Sequence, residues 1–164
     1  MRPARWVPVA DSTFTSDADI LRSNLSELLL RGFRANVYRQ IEPGVDIPVR
    51  DGTYPILTAL DEAPCRTTDL AERSGVDRTT ASRQVSQLLA AGLVEQNTDP
   101  QDRRNTVVSL TPKGKAAAQR LASNADSLVR QALSDWQPND RAAIARLLPR
   151  LLSDLKSSRS ADAP

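Results

Sequence analysis

The chain has 164 residues, of which 40% are hydrophobic and 26% are charged, and its formal net charge is +2. This length suits one well-packed domain or a small domain with a dimerisation arm. There is no apolar run of about 18 residues, and polar residues and prolines interrupt the N-terminus, so we expect a cytoplasmic protein without a membrane span or secretion signal. The lack of histidine and the single cysteine exclude histidine-based catalysis, histidine metal sites and an intrachain disulfide.

Residues 1–16 form a predicted N-terminal extension that is rich in proline, serine and threonine. The extension contains Trp6 and Phe14, so either it is a disordered tail or it docks on the protein body or on a partner subunit. Both alternatives stay open at this stage.

A long helix is predicted next, beginning at a Ser16 or Asp17 cap and ending near Glu42, where Pro43-Gly44 stops it. A broad apolar stripe follows helical spacing along it, formed by Leu21, Leu25, Leu28, Leu29, Phe33, Val37 and Ile41. A helix with such a stripe cannot remain alone in water, so we expect it to pack against other helices.

After a loop over residues 45–51, a short helix is predicted from Thr53 to Ala63, with Ile56, Leu57 and Leu60 directed inward. Proline is tolerated only in the first turn of a helix, because its missing N–H has no helical partner there. Pro55 therefore places the start of this helix near residue 52 or 53.

Two further helices are predicted around a tight turn. The first has Thr67 as its cap and ends at Gly75, and Val76 then fills the core. The second begins at an Asp77 cap and ends at Gly92. Two short helices joined at a glycine with a buried apolar residue are typical of a helix-turn-helix.

The second of these helices has two chemically different sides. At about 100° per residue, one narrow sector is apolar and suits the core; it contains Ala81, Val85, Leu88 and Leu89. The opposite sector contains Thr79, Thr80, Arg83, Ser86, Gln87 and Ala90. No acidic residue occurs from Arg78 to Gly92. Such a face suits a DNA major groove, where arginine, glutamine and hydroxyl groups contact bases and phosphates. The alternative is an ordinary solvated face.

Residues 93–98 and 106–110 are predicted to form antiparallel strands, joined by an exposed tip over residues 99–105. In this tip, Asp102 either pairs with a neighbouring arginine in a surface turn or orients Arg104 for insertion into a narrow DNA minor groove. The strands and tip together are predicted to form a wing.

Two more helices complete the chain. The first has a Thr111 cap and Pro112 at its first position, and it is expected to reach about Trp136. Pro138 opens the second, in which Pro149 is expected to cause a kink. Their apolar stripes exceed what a small winged domain can cover.

The motifs in this region closely resemble those of the MarR family of winged-helix regulators. They comprise Leu70-Ala71-Glu72-Arg73, Asp77-Arg78-Thr79-Thr80-Ala81-Ser82-Arg83-Gln84-Val85, Gly92-Leu93-Val94, Asp99-Pro100-Gln101-Asp102-Arg103-Arg104 and Val108-Ser109-Leu110-Thr111-Pro112-Lys113-Gly114. The chain departs from many relatives on the first wing strand, where Glu95-Gln96-Asn97 stands in place of an arginine-bearing sequence. This departure implies fewer phosphate contacts from that strand.

The resemblance implies a mainly helical α+β fold. A winged helix-turn-helix domain over residues 45–111 would lie between helical regions 17–44 and 112–158, which would form a two-fold dimerisation region, and residues 159–164 would be a tail. The implied partners are double-stranded DNA, a second copy of the chain and a small aromatic effector. We expect no cofactor, no metal, no enzyme activity and no membrane association.

The DNA contacts predicted from the residues and the resemblance lie on the helix-turn-helix and the wing tip. They are Thr67, Thr68, Arg78, Thr79, Thr80, Ser82, Arg83, Ser86, Gln87, Asp102, Arg103 and Arg104. The implied function is repression from a pseudo-palindromic operator, relieved by the effector. The alternative is a winged-helix protein-interaction module without specific DNA binding.

An effector cleft is implied between the dimerisation helices and the winged domain. Its candidate lining residues are Phe33, Val37, Tyr38, Tyr54 and Leu57. The alternative is that these residues belong to the core. Cys65 is expected in a loop between two helices, either as a small semi-buried filler or as a redox sensor.

Overall fold

The computed structural model describes residues 16–47, 49, 52–98 and 106–157. The elements in chain order are α1 (Asp17–Leu29), α2 (Arg31–Ile41), α3 (Thr53–Glu62), β1 (Cys65–Arg66), α4 (Thr67–Ser74), α5 (Arg78–Ala90), β2 (Val94–Thr98), β3 (Thr106–Leu110), α6 (Pro112–Ala132) and α7 (Pro138–Ser157). The predicted class, a mainly helical winged helix-turn-helix fold, is confirmed. Residues 1–15 of the N-terminal extension, the wing tip and the C-terminal tail lie outside the described residues.

The prediction of one continuous N-terminal helix was wrong. Leu30 has an extended backbone, with φ −64° and ψ 135°, and it separates α1 from α2. The Arg34 guanidinium donates a hydrogen bond to the carbonyl of Leu29, which the break leaves without a helical partner. Gly32 lies in the first turn of α2, and glycine is less favourable than alanine inside a helix by about 1 kcal/mol. A break in the helix at this point therefore costs little free energy.

The sheet contains one strand that the sequence did not reveal. The described strands are antiparallel in the order β1-β3-β2. Cys65, which was expected in a loop, pairs with Val108 in β1. Because β1 extends to Arg66, Thr67 is the first residue of α4 and not its cap, so that prediction was also wrong. A two-residue strand leaves no alternating pattern to detect.

The core lies where α2 to α6 meet β3. Its fully buried large side chains are Ile41, Ile56, Leu57, Leu70, Leu88, Leu93, Val108 and Leu121. The inward direction predicted for Ile56, Leu57 and Leu60 is confirmed, as is the start of α3 at Thr53. The core thus unites one helix from each terminal region with the helix-turn-helix.

The end of α5 and the start of α6 are joined by a close backbone contact. The Thr111 side chain accepts from the N–H of Gly114 and donates to the carbonyl of Gly92, with oxygen-to-oxygen distance 2.7 Å. A Cβ atom on Gly114 would lie 1.8 Å from the carbonyl oxygen of Leu93. Only glycine fits at this position, so its absence of a side chain sets the approach of α6 to the winged domain.

A second contact fixes α6 to α2. The Asn124 amide nitrogen donates to the carbonyl oxygens of Ile41 and Pro43, each at 2.8 Å. These carbonyls lie at the C-terminus of α2, where helical partners are missing. The Asn124 side chain of α6 therefore provides hydrogen-bond donors for carbonyl groups at the end of α2.

The two terminal helices differ from the rest. Neither α1 nor α7 has a buried residue. The helix α6 ends at Ala132, short of the predicted Trp136, because a turn closes through a hydrogen bond from the Trp136 N–H to the Leu133 carbonyl. The helix α7 begins at Pro138 as predicted and continues through Pro149. Among the described helices, none is both long and apolar enough to cross a membrane.

Replacing Gly114 with alanine should lower the free energy of unfolding by about 1–3 kcal/mol, because backbone must move to admit the methyl group. Urea denaturation monitored by circular dichroism measures this. The matched control is Gly32→Ala, since a Cβ there meets nothing within 4 Å; it should be neutral or stabilising by up to about 1 kcal/mol. Equal stability of Gly114→Ala and wild type would contradict the close contact.

Candidate nucleic-acid interface

The helix α5 is held at both ends as predicted. The N–H of Thr80 donates to a carboxylate oxygen of Asp77 at 2.8 Å, and the Thr80 hydroxyl donates to the other oxygen at 2.6 Å. These bonds, the hydroxyl bond first, hold the pKa of Asp77 below its usual value of 3.8. Gly92 has φ +69°, the left-handed conformation that follows the helix. The start and end of α5 are thus defined by its own sequence.

The two sides of α5 are distinct in the fold. Ala81, Val85 and Leu88 are buried, and Leu89 is half-buried against the core. The exposed residues of α5 are Arg78, Thr79, Ser82, Arg83, Ser86, Gln87 and Ala90. The exposed face therefore carries two guanidinium groups and no carboxylate.

Several hydroxyl groups near this face already have partners. Thr80 is half-buried and bonds to Asp77. The Ser86 hydroxyl donates to the carbonyl of Ser82 at 3.0 Å. The Thr68 hydroxyl on α4 donates to Asp69 at 3.1 Å, and Thr67 is half-buried. The hydroxyl oxygens of Thr80, Ser86 and Thr68 keep the capacity to accept a hydrogen bond, whereas their protons are engaged.

The cations of α5 have different surroundings from those of α4. In the part of the chain that the structure describes, the ion pairs include neither Arg78 nor Arg83. Arg73 of α4, in contrast, pairs with Glu62 at 3.2 Å. A guanidinium without a carboxylate partner keeps its full attraction for an external anion. The exposed face of α5 is suited to a polyanion.

The wing is described only along its strands. Asp102, Arg103 and Arg104, which were predicted to contact DNA, lie outside the described residues. On β2, Glu95 accepts hydrogen bonds from Asn97 and from Ser109 of β3, both at 3.3 Å. The wing strands therefore carry the acidic Glu95 on β2, whereas a basic residue there would strengthen attraction to DNA phosphates.

A cleft of about 410 Å³ lies beside the helix-turn-helix. Its lining residues are Tyr38, Tyr54, Pro55, Thr58, Ala59, Glu62, Arg73 and Ser74. The rings of Tyr38 and Tyr54 are tilted by 44° with centroids 6.2 Å apart. Of the other candidate lining residues, Phe33 and Val37 do not line this cleft, and Leu57 is fully buried in the core. For Leu57 the structure supports the core interpretation.

The sequence did not single out Arg73 as a residue of this cleft. Its guanidinium donates to the carbonyl oxygens of Ala59 at 2.8 Å and Ala63 at 3.0 Å. It also forms the ion pair with Glu62, so it joins α4 to the end of α3. An arginine in the last turn of a short helix is ordinarily attributed to the helix dipole, so the sequence carried no signal for this role.

The environment of Cys65 does not favour a reactive thiolate. Burial raises the pKa of its thiol above the usual value of 9.0, although a hydrogen bond with Arg73 acts in the opposite direction. Cys65 is half-buried on β1, which pairs with β3. The filler interpretation fits this better than a redox sensor.

Gln84 is a second residue whose role the sequence did not indicate. Its side chain is buried and accepts a hydrogen bond from the Thr53 hydroxyl at 3.3 Å. At about 100° per residue, Gln84 lies 60° from Ala81, at the edge of the apolar sector. This angle was available from the sequence, but its partner at the start of α3 was not.

Comparisons with known proteins agree with this geometry. A family model described as the MarR family matches residues 46–105. YxaD of Bacillus subtilis, an uncharacterized HTH-type transcriptional regulator, is 31% identical over 100 residues, which cover 60% of this chain and 70% of YxaD. The HTH-type transcriptional repressor NicR of Pseudomonas putida is 30% identical over 100 residues, which cover 60% of this chain and 63% of NicR.

A solved structure extends the similarity to most of the fold. It concerns the mechanism by which 6-hydroxynicotinic acid regulates DNA binding of BpsR from Bordetella bronchiseptica. The two chains are 25% identical and superpose with a TM-score of 0.60, covering 82% of this chain and 96% of that one. The similarity therefore includes terminal helices as well as the winged domain.

The Asp77 cap should make stability depend on pH. Folding favours the carboxylate form, so its contribution is complete well above pH 3.8 and is lost as the pH falls through the lower pKa of the folded state. Asp77→Asn keeps an acceptor but cannot titrate. The stability advantage of wild type over this variant, measured by urea denaturation, should shrink as the pH falls below 3.8. A constant difference across the acid range would contradict the cap.

Proposed function

The chain belongs to the MarR family of transcriptional regulators, and we propose that it binds a pseudo-palindromic DNA operator as a homodimer. In this proposal it represses transcription until a small aromatic effector releases it. The observation that carries the proposal is the exposed face of α5, which has two unpaired arginines, polar side chains and no acid among its described residues.

The helix α5 has the chemistry needed in a major groove. Arg83 lies almost opposite the centre of the buried sector. Its guanidinium can contact a guanine through two hydrogen bonds or hold a phosphate. We favour the phosphate contact, because the neighbouring Ser86 and Gln87 leave few other groups to anchor the helix to the backbone. Arg78 in the first turn is the second cation available for such an anchor.

The distribution of exposed apolar residues supports a homodimer. The described large hydrophobic residues that remain exposed all belong to α1, α2, α6, α7 or the turns that join α1 to α2 and α6 to α7. They are Ile20, Leu21, Leu28, Leu29, Leu30, Phe33, Val129, Trp136, Ile144, Leu147, Leu148, Leu152 and Leu155. An apolar surface of this extent favours association. A second copy is the occupant proposed here, since a two-fold dimer matches a pseudo-palindromic operator.

Part of this surface is a groove of about 650 Å³ lined mainly by α7, with Leu21 of α1 and Trp136 beside it. Its lining residues are Leu21, Trp136, Asp140, Ala143, Ile144, Leu147, Leu148, Arg150, Leu151 and Asp154. Most of these lining residues are apolar, and Arg150 and Asp154 among them form an ion pair at 3.7 Å. A mainly apolar surface with a few charged groups suits a protein interface.

The proposed effector site is the cleft that contains Tyr38 and Tyr54. Two tyrosine rings provide apolar surface for an aromatic molecule, and the Arg73 guanidinium provides a polar group at the wall. The structure of BpsR concerns regulation of its DNA binding by an aromatic acid, and NicR is a repressor. These relatives support both the effector class and the direction of regulation in this proposal.

The second candidate function is a winged-helix interaction module without specific DNA binding. The acidic group of Glu95 on the wing favours it. A salt titration of binding to random duplex DNA distinguishes the two, because phosphate contacts strengthen as salt is lowered. A lack of measurable affinity at low salt would favour the interaction module.

The dimer proposal predicts a melting temperature that rises with protein concentration, because dissociation and unfolding are linked. Analytical ultracentrifugation at micromolar concentration should give a dimeric mass. Leu147→Glu places a charge in the apolar groove and should shift the protein towards monomer. The control Asn97→Glu adds the same charge on β2 and should remain dimeric. A monomeric wild type would contradict the proposal.

Arg83→Ala tests the proposed phosphate contact. Loss of this contact should weaken operator and random duplex alike and lower the salt slope by about one per subunit. Loss of a base contact should instead cost about 1–3 kcal/mol on the operator alone. The operator comes from duplexes selected out of a random pool, and affinities are measured at two salt concentrations. The control is Arg130→Ala, an exposed arginine on α6. Unchanged affinity for both DNAs would show that α5 does not face DNA.

A further inference from the structure

The buried polar residues of the described structure form one pair. Thr53 is 3% exposed and Gln84 is 6% exposed, and the described part of the chain has no other polar or charged residue in the buried class. The Thr53 hydroxyl donates to the Gln84 side-chain oxygen at 3.3 Å, although the residues are 31 positions apart. A buried hydrogen bond between neighbouring elements fixes their relative orientation more strictly than apolar contact alone. Here the elements are the first turn of α3 and the middle of α5.

Gly52 provides a second, independent sign of a specific contact. A Cβ atom on Gly52 would lie 2.7 Å from Cγ and 3.1 Å from Cδ of Gln84. The backbone of Gly52 has φ −97° and ψ −24°, a conformation that any residue adopts. Glycine is therefore not required by the backbone at this position. Its lack of a side chain provides the space in which the Gln84 side chain lies.

The position of Gln84 on α5 connects this contact to the exposed face. Gln87 follows one turn later and Thr80 precedes by one turn, so both neighbour Gln84 on the helix surface. On the other side, Gln84 adjoins the buried Ala81 and Leu88, three residues before it and four residues after it on α5. Gln84 thus lies between the core and the face that we assign to DNA. A rotation of α5 about its axis would move this residue and the DNA face together.

We propose that Gln84, held by Thr53 and Gly52, is a positioning residue that sets the rotation of α5 and thereby the discrimination of operator from random DNA. The inference rests on the proposed function. The hydrogen bond to Thr53 and the close contact at Gly52 both join α5 to the start of α3, so a rotation of α5 would break the one and close the space of the other. Base contacts need hydrogen-bond geometry and are sensitive to rotation, while phosphate attraction tolerates it.

The first test compares wild type with Gln84→Met, which has a side chain of similar length without the amide. Affinities are measured for a duplex selected by the wild type from a random pool and for random duplex, at one salt concentration. We expect operator affinity to fall about tenfold and random-duplex affinity to change less than twofold. Thermal unfolding is measured in parallel. A lower melting temperature with an unchanged affinity ratio would show a merely structural role and overturn the proposal.

A conservative pair of variants tests the same bond from its other partner. Thr53→Ser keeps the hydroxyl and should keep the affinity ratio near that of wild type. Thr53→Val keeps the size of the side chain but removes the hydroxyl, so it should reduce the ratio as Gln84→Met does. This pair also decides the question if Gln84→Met fails to fold. Equal ratios for Thr53→Ser and Thr53→Val would overturn the proposal.

A double-mutant cycle tests the close contact at Gly52. Gly52→Ala alone should reduce the affinity ratio severalfold, because the new methyl group displaces the Gln84 side chain. In a Gln84→Ala background the obstructing atoms are absent, so Gly52→Ala should have less than a twofold further effect. The glycine control is Gly32→Ala, where nothing lies within 4 Å. Equal effects of Gly52→Ala in both backgrounds would contradict the assignment.

The wild-type measurements separate this inference from the proposed function. If the wild type selects no common duplex and does not prefer any sequence, the proposed function fails and the inference fails with it. If the wild type discriminates and the Gln84, Thr53 and Gly52 variants retain its ratio, only the assignment of Gln84 is overturned.

Discussion

The close approach of Gly114 to the carbonyl of Leu93 is the constraint on which the arrangement of the molecule depends. It brings the first turn of α6 against the chain that leaves α5, and the Thr111 side chain joins the two through hydrogen bonds on both sides. The helix that extends into the terminal region is thus attached directly behind the proposed recognition helix. The place of α5 relative to α6 follows from this attachment and from the core beneath it.

Much of the fold was predictable because local signals and tertiary packing agree. The Asp77 cap, the left-handed Gly92 and the buried sector of α5 were all readable from residue type and spacing. The break at Leu30 was not, because the apolar stripe continues across it and the stabilising contact comes from the Arg34 side chain. Strand β1 was missed for a similar reason, since its two residues owe their conformation to β3.

For the candidate site, the sequence could predict which residues of α5 are exposed, because exposure follows from their angle around the helix. Angle alone placed Arg83 and Gln87 outside and Val85 inside, as the structure has them. It gave no account of Arg73 or Gln84, because their roles depend on partners in α3 that are distant in sequence. Long-range polar contacts of this kind leave no periodic pattern, so a single sequence cannot identify them.

Because α6 is attached at two points, a small tilt of this helix about one point displaces the other. Asn124 holds the end of α2, and Gly114 lies against the chain leaving α5. Ten residues separate these points, which corresponds to about 15 Å along the axis, so a tilt of about 5° about one point displaces the other by about 1.3 Å. Hydrogen bonds span a range of only about 0.5 Å between short and long examples. A displacement of this size at the α2 end, too small to alter the fold, is therefore large enough to misalign the base contacts proposed for α5.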